Sequence, residues 1–436
     1  MTIDGLGRVF VALTLFGCLI LAIRILGMFY LLWLHLVLRR EGTASERQRL
    51  AHPLPTESEL PHVVVQIPVF NEGAIVARGI ASAANLDWPK HKLHIQICDD
   101  STDGTTELAL AAARRAAESG LDVTVLHRDD RSGFKAGALR AAMAATPHDY
   151  FAILDVDYMP APDFLRRCMA ALASDSGIAF VQARPDFLNR DGNFLTRAQA
   201  IILDFHYGLE QPTRSWANHA LPFNGTCGIW RRAAIEAGGG WNGDAMTEDW
   251  DLSYRAMLKG WRGVFLATVA VPGELPTKLA AWVTQQKRWA AGIGEVARKV
   301  LPTVFFDRSL SRKERLDAFL SLSPWIGDVM FPATFFCAVV AILLAPSVAL
   351  ELGLTVYAAF VAAAIALFAL MLVANRFLRR MTPLTSFILD FMTVLGLLIY
   401  IIWTNFQSLP ATLIGRRRIF MRTPKEGSVL PTGHGP

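Results

Sequence analysis

Residues 93–128 read LHIQICDDSTDGTTELALAAARRAAESGLDVTVLHR, and this stretch decides the fold. It begins with a short apolar run, continues with an alanine-rich segment of helical periodicity, and ends with a second apolar run. This order predicts two parallel strands, because a parallel pair needs a crossover connection that is usually a helix. Near-continuous apolar strands also predict a sheet that is covered on both faces.

The same alternation extends to both sides of this stretch. HVVVQIPVF (62–70) and YFAILDVD (150–157) are predicted as further strands, and AIVARGIASAAN (74–85) as a helix. We therefore predict an α/β domain with a Rossmann-like, mostly parallel sheet. Ligands in such sheets bind at the carboxyl ends of the strands. Polar side chains stand at those ends: Asn71, Asp99, Asp100, Asp155 and Asp157.

The composition indicates that membrane segments flank this domain. The chain of 436 residues is 53% hydrophobic and 19% charged, so it is more apolar than an ordinary soluble domain. The excess lies in residues 9–38 and in three later stretches, each long enough to cross a hydrocarbon layer of about 30 Å. These later stretches are 316–345, 351–375 and 385–413.

Four parts are predicted along the chain. They are an N-terminal transmembrane helix (1–45), the α/β domain (46–300), interfacial and transmembrane helices (301–415), and a basic tail (416–436). The polar, proline-containing segment 41–61 is predicted as a linker.

The positive charges are local. The net charge is +5, and arginines follow both the first apolar segment (Arg39, Arg40) and the last one (416–418). Juxtamembrane arginines mark the cytosolic side of a helix. With the domain and the tail both in the cytosol, we favour five spans. No motif of nucleic-acid recognition accompanies these arginines, so no nucleic-acid partner is expected. The five scattered cysteines favour neither a disulfide framework nor a zinc site.

Asp155 and Asp157 stand two residues apart where an apolar strand is predicted to stop. Mg²⁺ and Mn²⁺ prefer oxygen ligands and are often held by one or two carboxylates together with substrate phosphates. The pair therefore predicts a divalent-metal site, although an Asp-x-Asp at a strand end is also typical of a turn. Asp99 and Asp100 stand in CDDSTD, where the chain leaves the strand predicted from residue 93. This position favours either contacts with a ligand or the cap of the next helix.

Two further motifs carry groups suited to catalysis. Thr247-Glu248-Asp249 opens a predicted helix, where acidic residues favour the helix dipole in any case. The sharper interpretation makes Asp249 a general base, with Glu248 and Asp251 as alternatives. WVTQQKRW contains three groups suited to a diphosphate and a sugar ring, although Trp and Arg are also common on interfacial helices. These groups are Gln285, Arg288 and Trp289.

Taken together, these motifs resemble those of the processive, membrane-integrated family-2 glycosyltransferases, the cellulose, mannan and related β-glycan synthases. The resemblance covers residues 62–300, and its segments follow the order of the family. They are IPVFNE (67–72), CDDSTD (98–103), HRDDRSGFKAGAL (127–139), DVD (155–157), FNGTCGIWRRAAIEAGGGW (223–241), TED (247–249) and QQKRW (285–289).

The resemblance implies a GT-A fold and an inverting transfer of a hexose from a nucleotide-diphosphate sugar to a growing β-linked polysaccharide of the glucan or mannan type. It implies Mg²⁺ or Mn²⁺ at Asp155 and Asp157, with Asp157 favoured as the residue that coordinates the metal directly. It also implies Asp249 as the base. The expected donor-binding residues are Pro68, Asn71, Glu72, Asp99, Asp100, Lys135, Asp155, Gln285, Arg288 and Trp289. The expected acceptor-binding residues are Asn224, Gly225, Thr226 and Trp289.

The resemblance extends to the tail and to the membrane. Phe420, Thr423 and Lys425 are similar to the family's gating loop, although Arg422 replaces the usual valine, and a basic juxtamembrane tail explains them as well. The implied location is the plasma (inner) membrane with a cytosolic catalytic domain. UDP-glucose is the first expectation for the donor, and GDP-mannose the second.

Three other interpretations remain. A non-processive enzyme that makes a glycolipid would use the same catalytic residues, and the small membrane part keeps this alternative open. A transporter with a nucleotide-binding domain is disfavoured because no Walker-type sequence occurs. A nucleotidyltransferase would explain the sheet and its carboxylates, but not TED or QQKRW.

Overall fold

The structure of the protein, a computed structural model, describes residues 3–308, 310–380 and 382–413. The chain folds into two compact units. The sheet unit contains Arg39–Thr196 and Arg214–Ala281. The helical unit contains Arg197–Thr213 together with the described parts of residues 1–38 and 282–421.

A seven-stranded sheet forms the centre of the sheet unit, with the strand order β3-β2-β1-β4-β6-β5-β7. The strands are β1 Val63–Val69, β2 Leu93–Asp99, β3 Asp122–His127, β4 Tyr150–Ile153, β5 Ile178–Phe187, β6 Gly228–Arg231 and β7 Arg262–Gly273. The first four strands pair in parallel, as do β5 and β7, whereas β6 runs antiparallel to both of its neighbours. The predicted mostly parallel sheet is therefore confirmed.

The described residues form fourteen α-helices. They are α1 Ile3–Leu50, α2 Gly73–Ala84, α3 Thr105–Glu118, α4 Phe134–Ala144, α5 Phe164–Ala173, α6 Phe194–Phe205, α7 Gln211–Trp216, α8 Arg232–Ala237, α9 Glu248–Met257, α10 Leu279–Phe306, α11 Arg312–Ser321, α12 Pro324–Leu344, α13 Ala349–Phe377 and α14 Leu384–Leu413. The apolar faces of α2, α3 and α5 pack with the central strands into one buried core. This packing keeps the sheet rigid and leaves its carboxyl edge to the loops.

The first helix is longer than the sequence predicts. The segment 41–61 was expected to be a linker, but α1 continues to Leu50, because nothing interrupts helical geometry before Pro53. Within the sheet unit, the buried Glu46 accepts hydrogen bonds from the backbone N–H (2.8 Å) and the hydroxyl (2.6 Å) of Thr268. The end of the helix is therefore held in place by specific contacts.

Four helices among the described residues are long and apolar enough to cross a membrane, one fewer than the five spans expected. These candidates are Gly5–Leu50, Ile326–Leu344, Leu350–Phe377 and Leu384–Gln407. The predicted apolar stretch 316–345 is divided between two helices in the structure. Its first six residues belong to the short α11, and α12 begins at Pro324. The basic tail lies outside the described residues.

Within the helical unit, the charge inside the first apolar segment is hydrogen-bonded. The Arg24 guanidinium donates to the Ser323 hydroxyl at 2.7 Å and to the Leu320 carbonyl at 3.3 Å. A charged group in an apolar segment is costly unless it is paired. These two acceptors explain how α1 accommodates its arginine.

Candidate functional site

The Asp155-Val156-Asp157 segment lies in the turn that follows β4. The strand was predicted to reach residue 157 but ends at Ile153, because the N–H of Asp155 leaves the sheet and donates to the Thr226 hydroxyl at 2.8 Å. The Asp155 side chain is 34% exposed. Asp157 is only 1% exposed, and one of its carboxylate oxygens accepts the N–H of Glu274 at 3.2 Å. The two carboxylates therefore differ in access to solvent.

The Asn224-Gly225-Thr226 loop lies beside this turn for a topological reason. Because β6 runs antiparallel to β4, its first residue pairs with the last residue of β4, and the loop before it reaches the carboxyl edge. Gln182 of β5 holds the loop. Its side-chain oxygen accepts the N–H of Asn224 at 3.0 Å, and its amide nitrogen donates to the Thr226 carbonyl at 2.7 Å.

Lys135, in the first turn of α4, joins the turn to the loop. Its ammonium donates to Asp155 Oδ1 at 2.6 Å and to the Gly225 carbonyl at 2.9 Å. Burial alone would lower the pKa of Lys135, but Asp155 and then Glu248 raise it, with a further contribution from Asp249, so that it lies above its ordinary value. Lys135 therefore stays charged at neutral pH.

Asp249 reaches the same place from the first turn of α9. The predicted start of this helix is confirmed, with Thr247 as its N-cap. Gly225 has a φ of 76°, and a Cβ at this position would lie 2.9 Å from Asp249 Oδ2. The absence of a side chain at Gly225 thus permits the close approach of Asp249. Asp251, one of the alternatives for the base, instead forms a buried ion pair with Arg255 at 2.6 Å.

The pKa values of two buried thiols respond to the charged groups around them. Burial raises the pKa of Cys227 well above its ordinary value, and Asp155 and Asp157 raise it further against the effect of the Thr226 hydroxyl. Burial also raises the pKa of Cys98 to about 12, with Asp100 adding to the shift and Arg128 and then Lys135 opposing it. Both thiols therefore stay protonated at neutral pH.

Asp99, at the end of β2, is fully buried and has three donors. Oδ1 accepts the N–H of Ser101 at 3.0 Å, and Oδ2 accepts from Thr106 at 2.6 Å and from His127 at 2.8 Å. Burial acts to raise the pKa of Asp99, but these hydrogen bonds outweigh it, and the pKa lies below its ordinary value. Asp99 is therefore ionised at neutral pH.

Asp100 forms a two-point ion pair with Arg128. The guanidinium donates to one carboxylate oxygen at 2.7 Å and to the other at 2.6 Å. Sequence reasoning assigned no role to His127 and Arg128, although both stand in the quoted motif. The register could have identified them, because His127 pairs with Asp99 on the neighbouring strand.

The Asn71 loop completes this edge of the sheet. Asn71 has a φ of 54°, a conformation that asparagine tolerates better than most residues. Its N–H donates to the Ser101 hydroxyl at 2.9 Å, and its side-chain oxygen accepts the N–H of Thr102 at 2.8 Å. Pro68 lies in β1 opposite Cys98, and Glu72 is the N-cap of α2. The donor-binding roles of Pro68, Asn71 and Glu72 stay predictions.

With this geometry in place, the comparison with known families is decisive. The sequence model of a glycosyltransferase-like family 2 matches residues 61–292, which is more than half of the chain. The chain belongs to glycosyltransferase family 2. The predicted resemblance is thereby confirmed, and the matched residues include the β1, β2 and β4 ends, Lys135 and the start of α9.

This family-2 chain is similar in sequence to curated mannosyltransferases. It is 38% identical over 285 residues to glucomannan 4-beta-mannosyltransferase 1 of Oryza sativa subsp. japonica, covering 63% of this chain and 54% of that protein. It is 42% identical over 248 residues to glucomannan 4-beta-mannosyltransferase 2 of Arabidopsis thaliana, covering 56% and 46%. The chain thus spans about half the length of the curated relatives it matches.

The fold of this family-2 chain is also similar to that of a solved structure. The mannosyltransferase PcManGT from Pyrobaculum calidifontis, in complex with GDP-Man and Mn²⁺, aligns with a TM-score of 0.52 at 20% identity. The alignment covers 84% of this chain and 98% of that protein. Together with the family match, it confirms the predicted GT-A fold of the sheet unit.

The residues of the family-2 turn fit a divalent metal by their chemistry. Asp155 and Asp157 offer carboxylate oxygens, which Mg²⁺ and Mn²⁺ prefer, and the Asp155 carboxylate is accessible to solvent. The nearby thiol is unsuited to such a metal, since Cys227 is fully buried and its raised pKa keeps it protonated. The expectation that Asp157 is favoured over Asp155 as the directly coordinating residue stays a prediction.

Other residues that the family pattern suggests lie elsewhere in the chain. Gln285, Arg288 and Trp289 share one face of α10 by their spacing, are half-buried, and belong to the helical unit. Their roles at the diphosphate and the glycan stay predictions. The proposed gating loop lies outside the described residues: Phe420, Thr423 and Lys425.

Proposed function

We propose that this chain transfers mannose from GDP-mannose to a growing β-linked mannan-type polysaccharide, with inversion at the anomeric carbon. The observation that carries the chemistry is the meeting of Asp155, Lys135 and Asp249 at the carboxyl edge of a GT-A sheet. Lys135 pairs with Asp155 at 2.6 Å, and a Cβ on Gly225 would lie 3.6 Å from the Lys135 ammonium and 2.9 Å from Asp249 Oδ2. A hydrolase that uses no sugar donor would not explain why the seven family segments occur in the family's order.

The choice of donor reverses the order expected from the sequence. UDP-glucose was the first expectation and GDP-mannose the second, but the two relatives named above are both mannosyltransferases. The similarly folded PcManGT is likewise a mannosyltransferase, and its structure is a complex with GDP-Man and Mn²⁺. We therefore propose GDP-mannose as the donor and Mn²⁺ or Mg²⁺ as the metal.

Asp249 is the group proposed to act on the acceptor. In a single displacement, an acceptor hydroxyl oxygen forms the new bond to C1 of the sugar as the bond from C1 to the diphosphate oxygen breaks. The hydroxyl proton passes to the Asp249 carboxylate, and GDP leaves with the bonding electron pair. Attack from the opposite face converts an α-linked donor into a β-linked product.

Lys135 and the metal are proposed to act on the leaving group. The Lys135 ammonium is held beside the turn by Asp155 and the Gly225 carbonyl, so its position does not depend on a bound donor. A fixed positive charge stabilises the negative charge that develops on a departing diphosphate. A divalent metal held by Asp155 and Asp157 would supply further neutralisation of the same kind.

The four apolar helices support a location in a membrane. Nucleotide sugars are made in the cytosol, and Arg39 and Arg40 follow the first span on the side that leads to the sheet unit. We propose the plasma (inner) membrane, with the catalytic domain in the cytosol. The acceptor is then the end of a glycan held at the membrane face.

The test is a donor screen on the purified, full-length protein in lipid vesicles with Mn²⁺. Labelled GDP-mannose and UDP-glucose are supplied separately and together, and the product is examined by size, linkage analysis and digestion with an endo-β-mannanase. We expect GDP-mannose alone to give a long product that the mannanase degrades. The Asp249→Asn variant is the control for contaminating activity.

Each alternative has its own outcome. Incorporation from UDP-glucose alone, into a product that resists mannanase, would contradict the proposed donor. A product that stops after one sugar on an added lipid acceptor would contradict polymer synthesis and support the glycolipid alternative. Absence of transfer from every nucleotide sugar would contradict the proposed function as a whole.

A further inference from the structure

Three histidine side chains meet at the amino edge of the sheet, the edge opposite the candidate functional site. His62 precedes β1, His94 is the second residue of β2, and His148 stands two residues before β4. These strands are neighbours in the order β2-β1-β4. His94 and Asp99 are five residues apart on β2, or about 17 Å of extended strand, so the cluster is separate from the carboxylates.

The three imidazoles are in close contact. The centroids of the His62 and His148 rings lie 4.6 Å apart, and those of His94 and His148 lie 4.3 Å apart. His62 Nδ1 lies 3.0 Å from His94 Nε2. One ring nitrogen from each of the three residues lies within 4.8 Å of the other two. The three ring nitrogens are therefore close enough for small side-chain rotations to bring them to the spacing of one coordination sphere.

A carboxylate fixes the tautomer of the central ring. His94 Nδ1 forms a short hydrogen bond with Asp122, the first residue of β3, whose carboxylate can only accept. In the neutral His94 ring the proton is therefore on Nδ1, and the Nε2 lone pair faces His62 Nδ1, where it can accept a hydrogen bond or bind a metal ion. A histidine that donates one N–H to a carboxylate and offers the other nitrogen is the usual arrangement at protein metal sites.

The three rings are accessible to an ion from solvent, because His62 is exposed and His94 and His148 are half-buried. Neutral imidazole is the ligating form. Packing alone would favour apolar partners at these positions, whereas three adjacent imidazoles repel one another once they are protonated.

We propose that His62, His94 and His148 form a binding site for Zn²⁺ or a similar nitrogen-preferring transition metal, oriented by Asp122. Zn–N bonds of about 2.0–2.1 Å in a tetrahedral site place nitrogens roughly 3.3–3.4 Å apart. The nitrogens of His62 and His94, 3.0 Å apart, are within a few tenths of an ångström of this separation. His148 is stacked on both rings, so binding requires its side chain to rotate out of the stack. Water, or a group from another molecule, takes the fourth position.

The bound metal would join the amino ends of three adjacent central strands. His62 is exposed, so the site is open to exchange with the solvent. Mg²⁺ and Mn²⁺ prefer oxygen ligands, so the two edges of the sheet select different metals. The proposed site stands independently of the proposed mannosyl transfer.

The test uses full-length protein in detergent, purified without a polyhistidine tag and stripped with a chelator. Zn²⁺ is titrated against a chromophoric competitor in excess Mg²⁺, which occupies carboxylate sites. We expect one tightly bound Zn²⁺ per chain and a rise of about 5 °C in the melting temperature. His94→Ala and His148→Ala should lose both effects, and Asp122→Asn should weaken binding by about 10–100-fold.

The matched control is His91→Ala, which removes a neighbouring exposed histidine outside the cluster and should leave both effects unchanged. The melting temperature of metal-free His94→Ala should stay within about 2 °C of that of the metal-free parent, which shows that the variant is folded. A second measurement on the unmutated protein is the electron paramagnetic resonance of bound Cu²⁺, where coupling to imidazole nitrogens is expected. Equal Zn²⁺ binding by the parent and the His94→Ala variant, or a Cu²⁺ spectrum without nitrogen coupling, would overturn the proposal.

Discussion

Two acidic pairs leave the sheet on either side of β1, and the structure treats them differently. After β2, every carboxylate oxygen of Asp99 and Asp100 accepts a hydrogen bond from a neighbouring protein group. After β4, the Asp155 carboxylate is partly open to solvent and pairs with the Lys135 ammonium, and Asp249 approaches the same loop at Gly225. The first pair is satisfied by the protein itself, and the second concentrates negative charge where a cation and a donor can approach.

The same sequence feature thus has two different surroundings. The donor-binding roles expected of Asp99 and Asp100 stay predictions. After β2, the partners come from the next strand and its loop, and they fix the shape of that loop. After β4, they come from α4 and α9, at the place where we propose that the transfer occurs.

The largest effect should come from Asp157→Ala. We expect transfer to fall by about 10³-fold or more, on the order of 4 kcal/mol in barrier height, because the metal that neutralises the diphosphate is lost. Mn²⁺ binding, measured directly by electron paramagnetic resonance, should be lost as well. Asp163→Ala, an exposed carboxylate six residues further on, is the control. Full activity of Asp157→Ala in the presence of a chelator would remove the metal from the mechanism.

A smaller loss is expected from Gly225→Ala. The added Cβ would stand 2.9 Å from Asp249 Oδ2, so the carboxylate must move, and a displacement of this size costs about 10–100-fold in turnover. Gly120→Ala is the matched control, because Gly120 has a similar φ of 85° but open space around it. Equal losses of turnover in both variants would show that backbone strain, and not the position of Asp249, causes the effect.

The β2 pair should respond in stability more than in activity. Asp100→Asn leaves Arg128 without its buried ionic partner, and we expect the free energy of unfolding to fall by about 3 kcal/mol, with turnover within about threefold. Asp87→Asn breaks a similar two-point pair with Arg166 on the surface, where the effect should be below about 1 kcal/mol. A tenfold rise in donor KM for Asp100→Asn at unchanged stability would instead place Asp100 at the donor.

The smallest effect is expected from Thr106→Val, which removes one donor to Asp99. The unfolding free energy should fall by about 1 kcal/mol at pH 7. Because the pKa of Asp99 is lowered in the folded protein, ionised Asp99 stabilises the fold above its unfolded pKa of about 3.9, and this contribution is lost as the pH falls through the folded pKa. The difference between variant and parent should therefore shrink below about pH 4, as measured by melting temperature. An exposed threonine on β3, replaced as Thr124→Val, should show no such pH dependence.

The sequence predicted the parallel part of the sheet well, because β1, β2 and β3 are apolar runs separated by helices of clear periodicity. It did not single out β5, β6 or β7. Of these, β6 is a four-residue strand whose antiparallel direction depends on contacts with β4 and β5. That direction is what carries the Gly225 loop to the site. The partners of Asp99 and Asp100 were missed for a similar reason, since His127 and Arg128 become neighbours of these acids only through the strand register.

The most direct test of the shared acidic site is the behaviour of Asp249→Asn. This variant keeps the size of the side chain but removes the proton acceptor. We expect mannosyl transfer to fall by about 10³-fold or more, while the affinity for GDP-mannose with Mn²⁺ stays within about threefold of the parent. Transfer at the parental rate would contradict the assignment of Asp249 as the base, and loss of donor binding together with transfer would place it in the donor pocket instead.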